Sequence, residues 1–190
     1  MGNSNQAKNF SFINVIFYII FGVLCGILWA YASPIPLIPG AVMLRLFAFL
    51  APAIGILFGP VSGFFAGYLG TIVWALLTGN FIPLHTPLTD GIMVGLSAVL
   101  PALLLTRGRA LKDVPKQKWF IFKCILWSVI GGAIMILVTS LSLSYFAKLD
   151  YWFCVIWIGI ADIAPLIITP FVVMLLAPRL DKIQTIIPRS

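Results

Sequence analysis

Long apolar runs separated by short polar connectors make up most of the chain. A membrane-spanning helix needs ~20 predominantly apolar residues, and fewer where neighbouring helices cover its ends. By this criterion the pattern predicts six spanning helices, at residues 12–32, 41–58, 61–78, 91–106, 119–146 and 152–177. The predicted fold class is therefore all-α integral membrane, with residues 1–190 forming a single membrane-embedded domain.

Proline and glycine mark the connectors between these runs. Residues 33–40 (SPIPLIPG) and 79–90 (GNFIPLHTPLTD) are rich in proline and polar groups, which predicts non-helical connectors. Gly59-Pro60 divides the second run from the third, since proline is common at the first position of a new helix.

The first run has a second interpretation, a cleaved signal peptide, because Ala30-Tyr31-Ala32 has the small-residue pattern of a cleavage site. The run is about 21 residues, whereas the apolar core of a signal peptide has about 7–15. Lys8 is the one charged residue before it, and these features favour a retained span.

Composition agrees with the membrane assignment. The chain is 62% hydrophobic and 9% charged, whereas a soluble domain has roughly 25% charged residues. So little polar surface could not cover so much apolar surface in water. A soluble enzyme, a nucleic-acid-binding domain and a disordered chain are therefore excluded.

Basic residues predict the orientation of the spans. The chain has 12 Lys and Arg against 5 acidic residues, all Asp, and its basic residues concentrate in the 107–118 connector and in the 178–190 tail. Because short basic loops stay in the cytoplasm, both termini are expected there. The connectors 33–40, 79–90 and 147–151 are then expected on the outer face.

Motifs for metal, redox or nucleotide chemistry are missing from the sequence. Cys25, Cys124 and Cys154 lie far apart inside apolar runs, and the chain has one His, so we interpret the cysteines as packing residues. The GxxxxGK[ST] phosphate loop does not occur either. We therefore expect a protein that is not an enzyme and that needs no cofactor or metal.

Small residues form a stripe on the first predicted helix. Gly22, Gly26 and Ala30 recur every fourth residue, a spacing that lets another helix approach closely. That other helix could belong to a partner protein, or it could be the second or sixth span of this chain.

The segment Arg45–Gly70 carries a resemblance to a known family. An Arg, an apolar stretch with a Pro, and then FGPVSGFFAGYLG resemble the substrate-binding S components of energy-coupling factor vitamin transporters. The resemblance implies six spans with both termini inside a prokaryotic plasma membrane, and an outward-facing pocket for a vitamin-like molecule. It also implies that the protein topples against a transmembrane T component driven by two ABC ATPase subunits. Gly22, Gly26 and Ala30 stand where that family docks on the T component, with glycine in place of two alanines.

Polar and aromatic residues of the predicted outer half are the candidate substrate-binding residues: Arg45, Asn80, His85, Asp90, Tyr151, Trp152, Trp157 and Asp162. A charge inside a span is costly and usually faces a cavity or a partner.

Each candidate also has a structural interpretation. Arg45 and Asp162 could pair with each other, Asp90 could cap the fourth helix, and Asn80 could belong to a helix-terminating turn. His85 could be an ordinary loop residue, and the three aromatics could form an interfacial belt.

Ligand class and function stay open at this point. Five Asp and no Glu offer little charge for holding a cation, and Arg45 favours a pocket that tolerates an anion. The alternatives to a transport subunit are a structural membrane subunit that holds no ligand, and a small intramembrane enzyme using His85, Asp90 or Asp162 as acid or base.

Overall fold

The computed structural model describes residues 12–32, 36–38 and 42–180. Within these ranges the chain is helical apart from a two-stranded antiparallel hairpin of five residues and the connecting turns. The elements are α1 (Phe12–Tyr31), β1 (Pro36–Ile38), β2 (Val42–Met43), α2 (Leu50–Phe58), α3 (Pro60–Thr78), α4 (Gly91–Thr106), α5 (Phe120–Ala147), α6 (Tyr151–Leu166) and α7 (Thr169–Leu180). A π-helical turn, Thr86–Asp90, precedes α4, and a 3-10 turn, Leu111–Asp113, precedes α5.

Among the described residues, five helical segments are long and apolar enough to cross a membrane: Asn14–Tyr31, Pro60–Thr78, Thr86–Thr106, Phe120–Ala147 and Tyr151–Leu180. By length and composition the chain is therefore a multi-pass membrane protein. The predicted limits of the first, third, fourth and fifth helices agree with the structure to within one residue.

The second predicted span differs from the structure. A helix was expected over residues 41–58, but α2 begins at Leu50 and has 9 residues, about 14 Å, whereas the apolar core of a bilayer is about 30 Å thick. Upstream, Val42–Met43 pairs with Pro36–Ile38. Irregular backbone at membrane depth is tolerated where protein covers it. An apolar composition alone therefore did not distinguish this segment from a helix.

The sixth predicted span is interrupted. Residues 152–177 were expected to form one helix, but α6 ends at Leu166 and α7 begins at Thr169. Pro165 and Pro170 flank the break, and each lacks the N–H that would continue the helical hydrogen bonds. Pro101, by contrast, lies inside a continuous α4.

Helix α1 packs along α3 through its small residues. A Cβ added at Gly26 would lie 2.6 Å from Val73 Cβ, and one added at Gly22 would collide with Leu69. Residues further along α1 meet residues further along α3, so the two helices run parallel. Helix α4 is antiparallel to α3, because Gly67 meets Val94 and Gly95 meets Phe64.

This packing corrects the expectation for the stripe on α1. Gly22, Gly26 and Ala30 are all buried inside the molecule. The prediction that they form a free contact surface for a partner is therefore wrong for this structure. The alternative, packing within the chain, is observed instead. The neighbouring helix is the third predicted span, whereas the second or sixth was expected.

Candidate ligand-binding site

A cavity of about 340 Å³ lies at the end of the bundle where α3 stops and α4 starts. Its wall comes from Arg45, the end of α3, the 79–90 connector, α5 and α6. The lining residues are Arg45, Trp74, Gly79, Asn80, Phe81, Ile82, His85, Thr86, Asp90, Thr139, Leu143, Ala147, Leu149, Ile158, Ala161 and Asp162. The cavity thus combines an apolar wall with a few converging polar groups, as small-molecule sites do.

Arg45 joins the two carboxylates of the cavity. Its Nη2 lies 3.5 Å from Asp90 Oδ2, and its Nε lies 3.8 Å from Asp162 Oδ1. The guanidinium carbon also lies 4.2 Å from the ring centroid of Trp74 and 5.9 Å from that of Trp29. Both ion-pair distances are long for direct hydrogen bonds, so the carboxylates keep free hydrogen-bonding capacity.

The segment that carries Arg45 is held in place by α1. The fully buried indole of Trp29 donates from Nε1 to the carbonyl oxygen of Phe47 at 2.8 Å. Two residues earlier, the carbonyl of Arg45 accepts from the backbone N–H of Ala48 at 2.9 Å. A turn fastened to a buried indole therefore fixes the start of the guanidinium side chain.

Asp90 is presented by a folded connector. Gly79 ends α3 in the left-handed conformation, and Thr86 Oγ1 accepts from the backbone N–H of Ile82 at 3.0 Å. Asp90 itself makes no side-chain hydrogen bond to the start of α4. The capping role considered for Asp90 is therefore wrong, and its carboxylate is directed to Arg45 instead.

His85 anchors the same connector to α5. Its Nδ1 is hydrogen-bonded to Ser142 Oγ at 2.9 Å, and Ser142 in turn donates to Thr89 Oγ1 at 3.2 Å. Burial lowers the pKa of His85 below its ordinary 6.5; the charge of Arg45 lowers it further and that of Asp90 opposes the change. His85 is therefore neutral at pH 7 and adds no charge to the cavity.

Two buried polar atoms in the cavity wall have unused hydrogen-bonding capacity. Asp162 is 5% exposed and Trp74 is 5% exposed. Neither Asp162 Oδ1 nor Trp74 Nε1 has a hydrogen-bond partner among the described residues. Because buried polar atoms are costly to leave unpaired, both atoms favour a bound molecule or ordered water in the cavity.

The structure brings five of the eight predicted site residues together around the cavity: Arg45, Asn80, His85, Asp90 and Asp162. Asn80 also belongs to the turn that ends α3, since its Nδ2 donates to Thr78 Oγ1 at 3.1 Å. The pairing considered between Arg45 and Asp162 is present, and Asp90 joins it.

The three predicted aromatics lie outside the cavity. Trp152 is 64% exposed and meets Tyr151 edge to face, while Trp157 packs on Phe153. Tyr151 and Trp157 are half-buried, and none of the three aromatics lines the cavity, so the belt interpretation of them stays a prediction.

Trp74 is the cavity residue that the sequence interpretation missed. It lies four residues after Gly70 and four before Thr78, on the face of α3 that the glycines mark as buried. The sequence signal that could have indicated a cavity residue was an aromatic on that face, one turn before the end of the helix. Its pairing with Arg45 was not accessible, because the 44–49 segment was read as helix.

The remaining features give no further chemistry. Cys25, Cys124 and Cys154 are free and buried, which confirms their packing role. Among the described residues no group of three or more His, Cys, Asp or Glu is placed to hold a metal ion.

Comparison with protein-family models, with curated proteins and with solved structures finds no match. Function therefore has to be inferred from the cavity.

Proposed function

We propose that this chain is the substrate-binding S component of an energy-coupling factor importer in a prokaryotic plasma membrane. The observation that carries the proposal is the cavity of about 340 Å³, which contains the ion-paired Arg45 and its two carboxylates. Ligand pockets typically measure about 300–1,000 Å³, so this one suits a compact vitamin-like molecule. Such a molecule would complete the hydrogen bonding of Asp162 and Trp74.

The proposed topology has six crossings with both termini in the cytoplasm. The second crossing combines α2 with the irregular segment before it. Helix α2 packs on both α3 and α4, since Gly55 meets Gly63 of α3 and Ala98 of α4. The cavity lies at the start of α4 and the basic connector at its end, 16 residues and about 24 Å away. Since basic loops stay inside, this distance supports a cavity that opens outward.

Energy for uptake would come from partner subunits, because the sequence has no phosphate loop. In the proposed assembly the partners are a transmembrane T component and two ABC ATPases. Their contact surface lies elsewhere than on Gly22, Gly26 and Ala30, which are buried inside the molecule.

Co-expression tests the proposal. An affinity-tagged chain should co-purify from detergent with a T component and two ATPases encoded by the same genome, and vesicles holding the complex should accumulate a vitamin only with ATP. The Asp162→Asn variant should still co-purify but lose uptake, whereas Asp113→Asn, on the exposed basic connector, should co-purify and keep uptake. A chain that purifies alone and supports no uptake would contradict the proposal and leave a structural subunit.

A further inference from the structure

The charges around the cavity do not cancel. Arg45 brings one positive charge, while Asp90 and Asp162 bring two negative charges, and among the described residues no other Lys, Arg, Asp or Glu lines the cavity. Lys148 is near in sequence, but its exposed side chain lies over the ring of Tyr145, 4.9 Å from the centroid. His85 is buried and hydrogen-bonded to Ser142. The site therefore holds one carboxylate more than it can neutralise.

An unneutralised buried carboxylate is unfavourable, because burial removes the water that would solvate it. Asp162 is the residue concerned: it is 5% exposed, its Oδ1 lies 3.8 Å from Arg45 Nε, and that oxygen accepts no hydrogen bond from the described residues. This oxygen therefore lacks a hydrogen-bond donor, and a donor that also carries positive charge would neutralise the excess carboxylate.

The cavity wall also suits a cation. Phe81 places an aromatic ring in the wall, and the faces of such rings attract positive charge, as in the contact of Arg45 with Trp74. Apolar side chains such as Leu143 and Ile158 complete the wall and would cover the uncharged part of a ligand.

We propose that the cavity binds a compact organic cation, an amine or a nitrogen heterocycle that is protonated or quaternised, with its charge against Asp162 and Asp90. This inference rests on the proposed function and names the class of its substrate. It reverses the expectation of an anion-tolerant pocket, because Arg45 is occupied by two carboxylates and has no unmatched charge to offer an anion.

A panel of vitamins of different charge tests the inference on the full-length protein in detergent. The probes are thiamin and pyridoxamine as cations, biotin and pantothenate as anions, and riboflavin as a neutral molecule. A thiol-reactive dye that detects the three buried cysteines reports unfolding. A bound cation should raise the melting temperature by about 5 °C or more at 100-fold excess over its dissociation constant. Stabilisation by the anions or riboflavin without the cations overturns the charge assignment and leaves the proposed function standing, whereas no stabilisation by any probe contradicts both.

Two matched variants, one inside α6 and one at the residue that caps it, sharpen the test. Asp162→Asn keeps the shape of the side chain and removes its charge, so affinity for the stabilising cation should fall at least tenfold by titration calorimetry. Asp150→Asn removes one charge outside the cavity and keeps a capping residue at the start of α6, so affinity should be unchanged. Equal affinity in wild type and Asp162→Asn would overturn the inference.

Discussion

The guanidinium carbon of Arg45 lies 4.2 Å from the centre of the Trp74 ring, so the basic residue of the cavity rests on an aromatic face of α3. This contact joins two parts of the chain that are far apart in sequence. It places Arg45 between the carboxylates of Asp90 and Asp162, and it makes Trp74 a structural support of the charge cluster.

The first prediction concerns that support. Trp74→Ala should lower the free energy of unfolding by about 3–5 kcal/mol, because it removes a buried indole. Trp74→Phe should cost much less, since it keeps an aromatic face for Arg45. Thermal unfolding in detergent measures both effects.

Trp152→Ala is the matched control for Trp74, because Trp152 is 64% exposed. Stability should change there by no more than about 0.5 kcal/mol. If Trp74→Ala were as stable as Trp152→Ala, the indole would not support the cluster.

The second prediction concerns the contact between α1 and α3. Gly26→Leu should destabilise the protein by about 1–3 kcal/mol or prevent its insertion, because overpacking forces the helices apart. Even a Cβ there would lie 2.6 Å from Val73 Cβ. The measurement is the melting temperature together with the yield of monodisperse protein.

Ile27→Leu places the same residue on the exposed face of α1 and should leave both readouts unchanged. A Gly26→Leu protein with normal stability would show that the stripe is free after all. The docking role expected from the sequence would then be open again.

The third prediction concerns pH and His85. Its pKa is lowered from 6.5, mainly by burial, so the folded state binds fewer protons there than the unfolded state. The stability that neutral His85 contributes is complete above pH 6.5 and is lost as the pH falls through 6.5 towards the lowered pKa. The contribution of His85 to the melting temperature should therefore decline between pH 7.5 and pH 5.

His85→Asn isolates this contribution, because an amide can still donate to Ser142 Oγ but does not titrate. The decline below pH 6.5 should be shallower in the variant than in wild type. Parallel pH profiles for the two proteins would show that His85 does not control the change.

The hydrophobic pattern predicted most of the fold. Long apolar runs gave α1, α3, α4 and α5 nearly to the residue, since lipid exposure and helix length constrain them directly. The pattern failed over residues 42–49, where an apolar segment forms a short strand and turns instead of a helix. It also could not show which helix covers Gly22 and Gly26, because a stripe of small residues permits close packing of α3 and of a partner helix equally well.

The sequence predicted the charged residues of the candidate site but not the aromatic residue Trp74. Arg45, Asp90 and Asp162 stood out because charges at membrane depth are rare and need partners. The sequence could not show that Trp74 lines the cavity and that Trp152 and Trp157 do not, because all three are tryptophans. Which face of a helix is directed to the cavity depends on tertiary packing. Burial of Trp74 and exposure of Trp152 resolved that ambiguity.

Mass spectrometry of the small molecules released from the purified protein tests the central claim, that the cavity is a binding site. Ala147 is exposed and lines the cavity, so Ala147→Trp should obstruct it without altering a charge, whereas Ala110→Trp lies on the basic connector at the opposite end of α4. We expect one compound at near-stoichiometric amounts from wild type and Ala110→Trp, and at least tenfold less from Ala147→Trp. Equal amounts from all three proteins, or no compound from wild type, would contradict the claim.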